Sequence, residues 1–240
     1  MKEQTKTIGL IGGMSWESSK FYYEFVNERT KQLLGDTHSC KSILITVDFA
    51  QIVKLTFAED WEGIGKVVAS AAQQLERAGA DMVLLCTNLI HLVSDAIEES
   101  ISVPFLHIAE ATGREIQRQG LTKVGLLGTQ FTMEKDFYTG YIKENFDIDV
   151  IIPEEDDRKT LHRIIYNELV KGKFTTSSKE ICLKLMDDLI DKGAQGIIMG
   201  CTELPILVTA DEVGYPTFDT GKIHAHAAVD WAVQALPLSV

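Results

Sequence analysis

One stretch of the chain occurs twice. Residues 75–88 read LERAGADMVLLCTN and residues 189–202 read LIDKGAQGIIMGCT, with a constant offset of 114 residues. Each copy reads as a helix end, a Gly-Ala turn, an apolar strand and a polar elbow. We call residues 86–89 the threonine elbow, after Thr87, and residues 200–203 the cysteine elbow, after Cys201. A repeated supersecondary unit predicts two similar lobes related by pseudo-twofold symmetry, with both elbows flanking one cleft.

Short apolar runs alternate with helix-length amphipathic segments along almost the whole sequence. Strands that read as continuous apolar runs are typical of parallel sheets covered on both faces, so the predicted fold class is α/β with two similar lobes. The predicted strands are residues 7–11, 42–47, 81–86, 103–107, 123–128, 148–152, 196–200 and 215–219. The predicted helices are residues 17–34, 60–78, 109–119, 133–145, 159–171 and 178–192.

The first strand of each half is repeated too, as IGLIGGMS from residue 8 and VGLLGTQFT from residue 124. We therefore predict a first lobe of residues 1–105 and a second lobe of residues 106–218. Residues 219–240 are expected to return to the first lobe, where the segment 221–236 packs back across it.

Composition narrows the class of protein. A formal net charge of −12 and a pI near 4.9 argue against a nucleic-acid surface, which is usually basic. No apolar run approaches the length of a membrane span, and the start of the sequence lacks the apolar core of a signal peptide. The four cysteines form no CxxC pair, which favours reduced thiols in the cytoplasm over a disulfide framework or a zinc site.

Two loops at predicted strand ends are suited to anions. Gly12 and Gly13 permit a tight turn before Met14 and Ser15, whose N–H groups can hold an anion at a helix start. The spacing is not that of a dinucleotide-binding loop, so the carboxylate of a small substrate is favoured over a pyrophosphate. An ordinary strand–helix turn is the alternative. The counterpart loop of residues 128–132 offers hydroxyls for a carboxylate, or a helix cap by Thr132 before Met133 and Glu134.

Cys201 is the predicted acid/base. A thiol at a strand end before a helix or turn gains from exposed N–H groups, and we expect this position to lower its pKa. Glu203, two residues on, is placed to tune the thiol or to bond to it. Cys40 and Cys182 lack this context and are predicted to be structural.

Thr87 has the equivalent position in the other copy. Its hydroxyl is a weak base, but it can relay a proton through water or hold a substrate carboxylate, while Asn88 supplies a donor and an acceptor. Strand alternation assigns Cys86 to the core. His91 either tunes the elbow or simply packs.

Two other polar groups were weighed. The segment from Asp48 to Gln51 is predicted to end the second strand and to face an amino group or a substrate side chain. His224 and His226 form an HxH pair without further ligands, so we predict surface or interface histidines and no metal site.

With these motifs assembled, the sequence resembles the aspartate/glutamate racemase family, which needs no pyridoxal phosphate. The resemblance covers almost the whole chain through IGLIGGMSWES, CTNLIH, LLGTQFTM and GCTELP. It implies two α/β lobes, a homodimer, no cofactor, and a cysteine on each side of the substrate α-carbon. Cys201 matches one of them directly.

The sequence departs from the family pattern at two places. Thr87 replaces the first cysteine, and the sequence resembles a subgroup with this threonine that prefers one enantiomer. Residues 47–52 lack the arginine of aspartate-preferring members, and Gln51 is the nearest polar replacement. Tyr166 and Lys171 lie on a helix that lines the pocket in relatives. The predicted substrate-binding residues are Met14, Ser15, Gln51, Asn88, Leu89, Thr129, Thr132, Thr202, Glu203 and Tyr166.

The predicted function is therefore a cofactor-independent amino-acid racemase or epimerase of broad or L-selective specificity. Cys201 would move the α-proton on one face and Thr87 on the other. A decarboxylase or maleate-type isomerase of the same superfamily is an alternative, since one cysteine suits one-sided protonation. A catalytically weak binder of small carboxylates is another. A nucleotide-binding oxidoreductase is a distant third, because the phosphate fingerprint is absent.

Overall fold

The computed structural model of the chain describes residues 5–233, which divide into two compact units. The first consists of residues 5–107 with 224–233, and the second of residues 108–223. Both units are parallel α/β structures, as the alternation of apolar runs and helices predicts. The terminal parts of the predicted lobes, and residues 234–236 of the segment expected to pack back on the first lobe, lie outside the described residues.

The first unit is built on a parallel sheet of strand order β2-β1-β3. Its strands are β1 (Ile8–Gly12), β2 (Ser42–Thr46) and β3 (Met82–Leu85). Its helices are α1 (Trp16–Leu34), α2 (Phe49–Phe57), α3 (Trp61–Arg77) and α4 (Ser94–Glu98), with a 3-10 helix at Leu89–Val93. Every residue of β1 and β3 is buried, which is why these strands read as unbroken apolar runs.

The predicted strand at residues 103–107 is reduced to a single bridge between Val83 and Phe105. Two hydrogen bonds hold it, from Val83 N to Pro104 O at 2.9 Å and from Leu106 N to Val83 O at 3.2 Å. Pro104 has no N–H to donate, so the pairing does not extend into a strand.

The second unit is built on a parallel sheet of order β5-β4-β6-β7. Its strands are β4 (Lys123–Gly128), β5 (Asp149–Ile151), β6 (Ile197–Gly200) and β7 (Thr217–Asp219). Its helices are α5 (Ile108–Arg118), α6 (Gln130–Glu134), α7 (Asp136–Phe146), α8 (Glu155–Asn167), α9 (Thr176–Asp191) and α10 (Leu204–Leu207). Short 3-10 helices follow at Leu169–Lys171 and Ala210–Glu212. The helix predicted at 133–145 is thus two helices, because Lys135 between them is extended.

The last helix, α11 (Thr220–Ala232), begins in the second unit, and its residues from His224 onward belong to the first. Within the first unit, Ala232 O accepts a hydrogen bond from Lys6 N at 3.1 Å. Arg29 of α1 holds the Asp230 carboxylate through two bonds, of 2.7 and 2.9 Å.

The repeated sequence folds the same way in both units. In the first copy Gly79 has φ +94°, and Ala80 N donates to Leu75 O at 3.0 Å. In the second, Gly193 has φ +92°, and Ala194 N donates to Leu189 O at 3.0 Å. This is the left-handed helix ending that glycine permits. The duplication therefore extends to backbone hydrogen bonding. The strand after each turn, β3 or β6, leads directly into the threonine elbow or the cysteine elbow.

Candidate active site

The carboxyl ends of parallel strands meet at one edge of a sheet, and polar loops follow them there. In the first unit β1 pairs with β3 through Ile11 and Leu85, and with β2 through Gly12 and Thr46. The loops after all three strands therefore lie at the same edge. The predicted site residues brought together at this edge are Met14, Ser15, Gln51, Thr87, Asn88 and Leu89.

The glycine loop after β1 is held from within. Gly13 has φ +98°, and a Cβ there would lie 2.3 Å from Val47 O, so only glycine fits. Gly13 N donates to Ser19 Oγ at 2.8 Å, and Ser19 Oγ donates to Ser15 O at 2.7 Å. The Met14–Ser15 peptide is cis, and both residues are buried. Because Ser19 takes the Gly13 amide, any anion at this loop must use the later amides.

The segment after β2 differs from the prediction. Residues 48–51 do not extend the strand. Asp48 caps α2, its side chain accepting from Ala50 N at 3.1 Å, and Gln51 lies exposed in the first turn. A short polar side chain before a helix bonds the first amides, which explains the role of Asp48.

The threonine elbow turns tightly after β3. Thr87 N donates to Leu85 O at 2.9 Å, and Thr87 is only 8% exposed. Asn88 precedes the 3-10 helix Leu89–Val93 and is buried, as is Leu89. His91, a turn later, directs ring Nδ1 at Thr87 O over 2.8 Å. A carbonyl only accepts, so Nδ1 carries the proton and donates.

His91 belongs to a buried histidine cluster, which we define as His91, His107 and His224. The His91 ring centroid lies 4.6 Å from that of His107 and 5.8 Å from that of His224. His224 Nε2 donates to Leu106 O at 2.8 Å, so its Nδ1 accepts from Tyr22 Oη at 3.1 Å. Burial lowers the pKa of all three rings, that of His107 to about 4 and that of His224 to about 3. The prediction of a surface or interface position for His224 was wrong, because this side chain is fully buried.

The second sheet has an equivalent edge. Leu127 pairs with Met199, and Gly128 with Gly200, so the loops after β4 and β6 adjoin. The predicted site residues brought together at this edge are Thr129, Thr132, Cys201, Thr202 and Glu203.

A hydrogen bond between a thiol and a carboxylate dominates the cysteine elbow. Cys201 Sγ donates to Glu203 Oε2 at 3.0 Å, and Thr202 Oγ1 donates to the same oxygen at 3.2 Å. Cys201 is 8% exposed and Glu203 is 2% exposed. The elbow therefore holds a buried sulfur against a buried carboxylate.

The expected lowering of the Cys201 pKa was wrong. Burial raises the pKa of Cys201 well above its usual value, and the charge of Glu203 and the hydrogen bond to it raise it further. The short helix α10 begins only at Leu204, and the one backbone hydrogen bond that lowers the pKa is outweighed. Cys201 is therefore a thiol at neutral pH, with its proton directed at a carboxylate.

The loop after β4 forms a cap around its two threonines. Thr129 Oγ1 accepts from Thr132 N at 3.2 Å and lies 2.9 Å from Thr132 Oγ1. The capping residue is Thr129, whereas the sequence pointed to Thr132. Gln130 N donates to His162 Nδ1 at 3.2 Å, so a side chain of α8 fixes this loop.

Tyr166 stacks on His162, with ring centroids 4.8 Å apart. Burial raises the pKa of Tyr166, and the nearby Cys201 and Glu203 charges raise it further, which places its hydroxyl in their field. Lys171 is exposed in the following 3-10 helix. Sequence reasoning missed His162, although its spacing from Tyr166, one helical turn, is a usable signal.

Within residues 5–233, the other three cysteines form no hydrogen bond with an acidic or basic side chain. Burial raises the pKa of Cys40 to about 11 and that of Cys182 to about 12, and raises that of Cys86 beyond any working pH. Between residues 5 and 233, no group of three or more His, Cys, Asp or Glu side chains is arranged to hold a metal ion. No helix in that range combines the length and apolarity of a membrane span.

The chain was compared with known proteins. The sequence profile of the Asp/Glu/Hydantoin racemase family matches residues 11–228. The chain belongs to this family. As a member it is an enzyme of the isomerase class, with the two α/β lobes of the racemase fold.

Three relatives illustrate the similarity. A crystal structure of a candidate Asp/Glu racemase from Yersinia pestis is 46% identical, with a TM-score of 0.88, and the match covers 95% of this chain and 100% of that one. An aspartate racemase homologue from Pyrococcus horikoshii is 33% identical, with a TM-score of 0.82, covering 95% and 99% of the two chains. The broad-specificity amino-acid racemase RacX of Bacillus subtilis is 23% identical over 92% of this chain and 96% of its own length.

Proposed function

We propose that this protein is a cofactor-independent amino-acid racemase or epimerase. Cys201 moves the α-proton on one face of the substrate, and Thr87 serves the opposite face. The observation that carries the proposal is the 3.0 Å hydrogen bond from Cys201 Sγ to Glu203 Oε2 at the carboxyl end of β6. It is an acid/base pair at the edge where α/β enzymes bind ligands.

The cysteine side works through Glu203. The thiol first passes its proton to the Glu203 carboxylate, which leaves a thiolate beside a carboxylic acid. The thiolate then takes the substrate α-proton, so the C–H bond breaks, an S–H bond forms, and the electron pair stays on the α-carbon and the substrate carboxylate. Burial raises the Cys201 pKa and so opposes this transfer, which makes formation of the thiolate the costly part of the step.

The threonine side is the weaker one. The Thr87 hydroxyl has no carboxylate beside it comparable to Glu203, and its backbone carbonyl is bonded to the His91 ring. We propose that Thr87 relays a proton from water to the planar intermediate, completing inversion. The Glu203 carboxylic acid then gives its proton to the hydroxide that this relay leaves, which regenerates water and the Glu203 carboxylate, while Cys201 keeps the former α-proton as its thiol proton. The two enantiomers then lose their α-protons at unequal rates, while the equilibrium between them stays at unity.

The intermediate needs stabilisation of charge on the substrate carboxylate. Hydrogen-bond donors in the loops after the strands supply it, and we assign this role to Ser15, Asn88, Thr129 and Thr202. A preorganised donor of this kind contributes on the order of 3 kcal/mol. Met14, Leu89 and Thr132 shape the same loops, since all three are buried.

We propose that the enzyme has low specificity for the side chain of its amino-acid substrate. Gln51 stands where aspartate-preferring members have an arginine, and Tyr166 contributes a neutral aromatic wall near Cys201. A site without a dedicated cation favours neutral or longer amino acids over aspartate. The similarity to a broad-specificity racemase is consistent with this.

We propose that the enzyme is a homodimer of the reducing cytoplasm. All four cysteines are free thiols, and Cys201 must be reduced to carry a proton. Trp16 of α1 and Leu44 of β2 are exposed apolar side chains that an assembly can cover. Sedimentation analysis should give twice the mass of the chain.

The function is tested by incubation in deuterated water with separate L- and D-amino acids, followed by mass spectrometry of the α-position and chiral chromatography. Deuterium at the α-carbon together with inversion supports the racemase. Loss of CO₂ from malonates, or isomerisation of maleate, would instead indicate the related superfamily chemistry. Saturable binding without exchange would indicate a binding protein.

A further inference from the structure

The threonine elbow is held by one side chain from the 3-10 helix that follows it. The His91 ring donates from Nδ1 to Thr87 O at 2.8 Å, and His91 N donates to Asn88 O at 3.1 Å. The carbonyls of Thr87 and Asn88 are thus both fixed by His91. His91 is 1% exposed, so no water competes for these bonds.

The ring itself cannot turn. It lies against Phe105, His107 and His224, at centroid distances of 5.6, 4.6 and 5.8 Å. His224 is in turn fixed by Tyr22 Oη and Leu106 O. The elbow is therefore linked to α1, to residues 105–107 and to α11 through the His91 ring and the groups packed against it.

The equivalent carbonyl of the cysteine elbow is bonded differently: Cys201 O accepts from the backbone of Leu204, Leu204 N, at 3.0 Å, and not from a side-chain ring. The residue 114 positions after His91 is Pro205, which has neither a ring donor nor a backbone N–H. His91 thus holds the threonine elbow in place, as Glu203 holds the cysteine elbow. A hydroxyl that relays a proton must be aimed well, because it has little basicity to compensate for misplacement.

We propose that His91 is a positioning residue for the reaction: its neutral imidazole holds the Thr87 carbonyl and thereby aims the Thr87 hydroxyl at the substrate. This inference rests on the proposed racemase function. It assigns His91 no contact with substrate, so its effect should be confined to the step that Thr87 performs.

The test uses the full chain with His91→Leu and His91→Asn. Asparagine places an amide N–H close to the position of Nδ1, whereas leucine fills the space without a donor. The measured quantity is the ratio of inverted product to α-deuterated substrate of unchanged configuration. We expect His91→Leu to lower this ratio by about tenfold or more, and His91→Asn to keep it within about threefold of wild type.

Ile8→Val is the matched control. Ile8 is a fully buried residue at the amino end of β1, away from the edge that carries the elbow, so this variant loosens the same core without touching the elbow. Its ratio should equal that of wild type. A ratio unchanged in His91→Leu would overturn the proposal, as would an equal loss in His91→Leu and His91→Asn.

A second measurement holds even if His91→Leu does not fold. Ring ¹⁵N NMR of the wild-type protein should show His91 as the neutral Nδ1–H tautomer at neutral pH. The Nε2–H tautomer would overturn the proposal. Absence of α-proton exchange in the wild type would instead refute the proposed function, which separates the two failures.

Discussion

The threonine elbow and the cysteine elbow follow equivalent strands in two units built on one repeated sequence, yet each is fixed by a different chemical group. The first carries a hydroxyl and is held by the neutral ring of His91. The second carries a thiol and is held by the carboxylate of Glu203. The comparison shows how a duplicated scaffold can keep its backbone while its two copies take unequal shares of one reaction.

The largest effect is expected from Cys201→Ala, which removes the only cysteine thiol that has an acid/base partner in the described residues. Turnover and α-deuterium incorporation should fall by at least about 10³-fold, the range of general acid/base contributions. Cys40→Ala is the matched control, since it deletes a partly buried thiol that lies outside the cysteine elbow and is not among the groups that raise the Cys201 pKa. Exchange that persists in Cys201→Ala would refute the assignment.

Glu203→Gln should come next, with a loss of about 10²-fold in turnover, because the thiol loses its proton acceptor. The same change removes a charge and an accepted hydrogen bond that raise the Cys201 pKa. Alkylation of Cys201 by iodoacetamide should therefore begin at lower pH than in wild type, although turnover is lower. Alkylation shifted to higher pH would contradict the role given to the carboxylate.

Thr87→Cys should make the two elbows more alike. A thiol accepts and returns a proton more readily than a hydroxyl, so we expect inversion to rise relative to exchange with retention, by roughly tenfold. Thr87→Ser keeps a hydroxyl and serves as the control. Chiral chromatography in deuterated water measures both quantities. A Thr87→Cys enzyme with the wild-type ratio would show that this side does not limit inversion.

The smallest effect concerns stability. The pKa values of His91, His107 and His224 are lowered in the folded chain. Below the ordinary histidine pKa, the unfolded chain therefore binds more protons than the folded chain does. Stability is unaffected above about pH 6.5, the ordinary histidine pKa, and falls as the pH drops towards 4. Each histidine contributes a slope of about 1.4 kcal/mol per pH unit in this window.

Urea unfolding at pH 7 and pH 5 measures this slope. His224→Gln should reduce it, because one titrating ring is lost. Equal stability at both pH values would show that the histidine cluster is already protonated or open to water.

Much of the fold could be predicted, because the repeat and the apolar runs record burial directly. Three local features could not. The sequence predicts that the segment from Asp48 to Gln51 ends the second strand, but Asp48 instead caps the helix Phe49–Phe57. The run at 103–107 has strand composition, but Pro104 limits its pairing to one bridge. Lys135 interrupts a helix whose periodicity continues past it.

The candidate site was predictable in position and less so in chemistry. Strand ends placed Thr87 and Cys201 correctly at the sheet edges, because parallel strands share a direction. The direction in which the Cys201 pKa shifts depends on how deeply the sulfur is buried and on where the Glu203 side chain points. The local sequence determines neither of these. The hydrogen bond from Gln130 N to His162 joins residues far apart in the chain, so it could not be predicted from the local sequence either.

The most direct test of the unequal elbows is the rate of α-deuteration of each pure enantiomer by the wild-type enzyme in deuterated water without added cofactor. The account predicts faster exchange with retention from the enantiomer whose α-hydrogen faces Cys201, and slower exchange from its mirror image. Equal rates from both enantiomers, or no exchange from any amino acid, would contradict it.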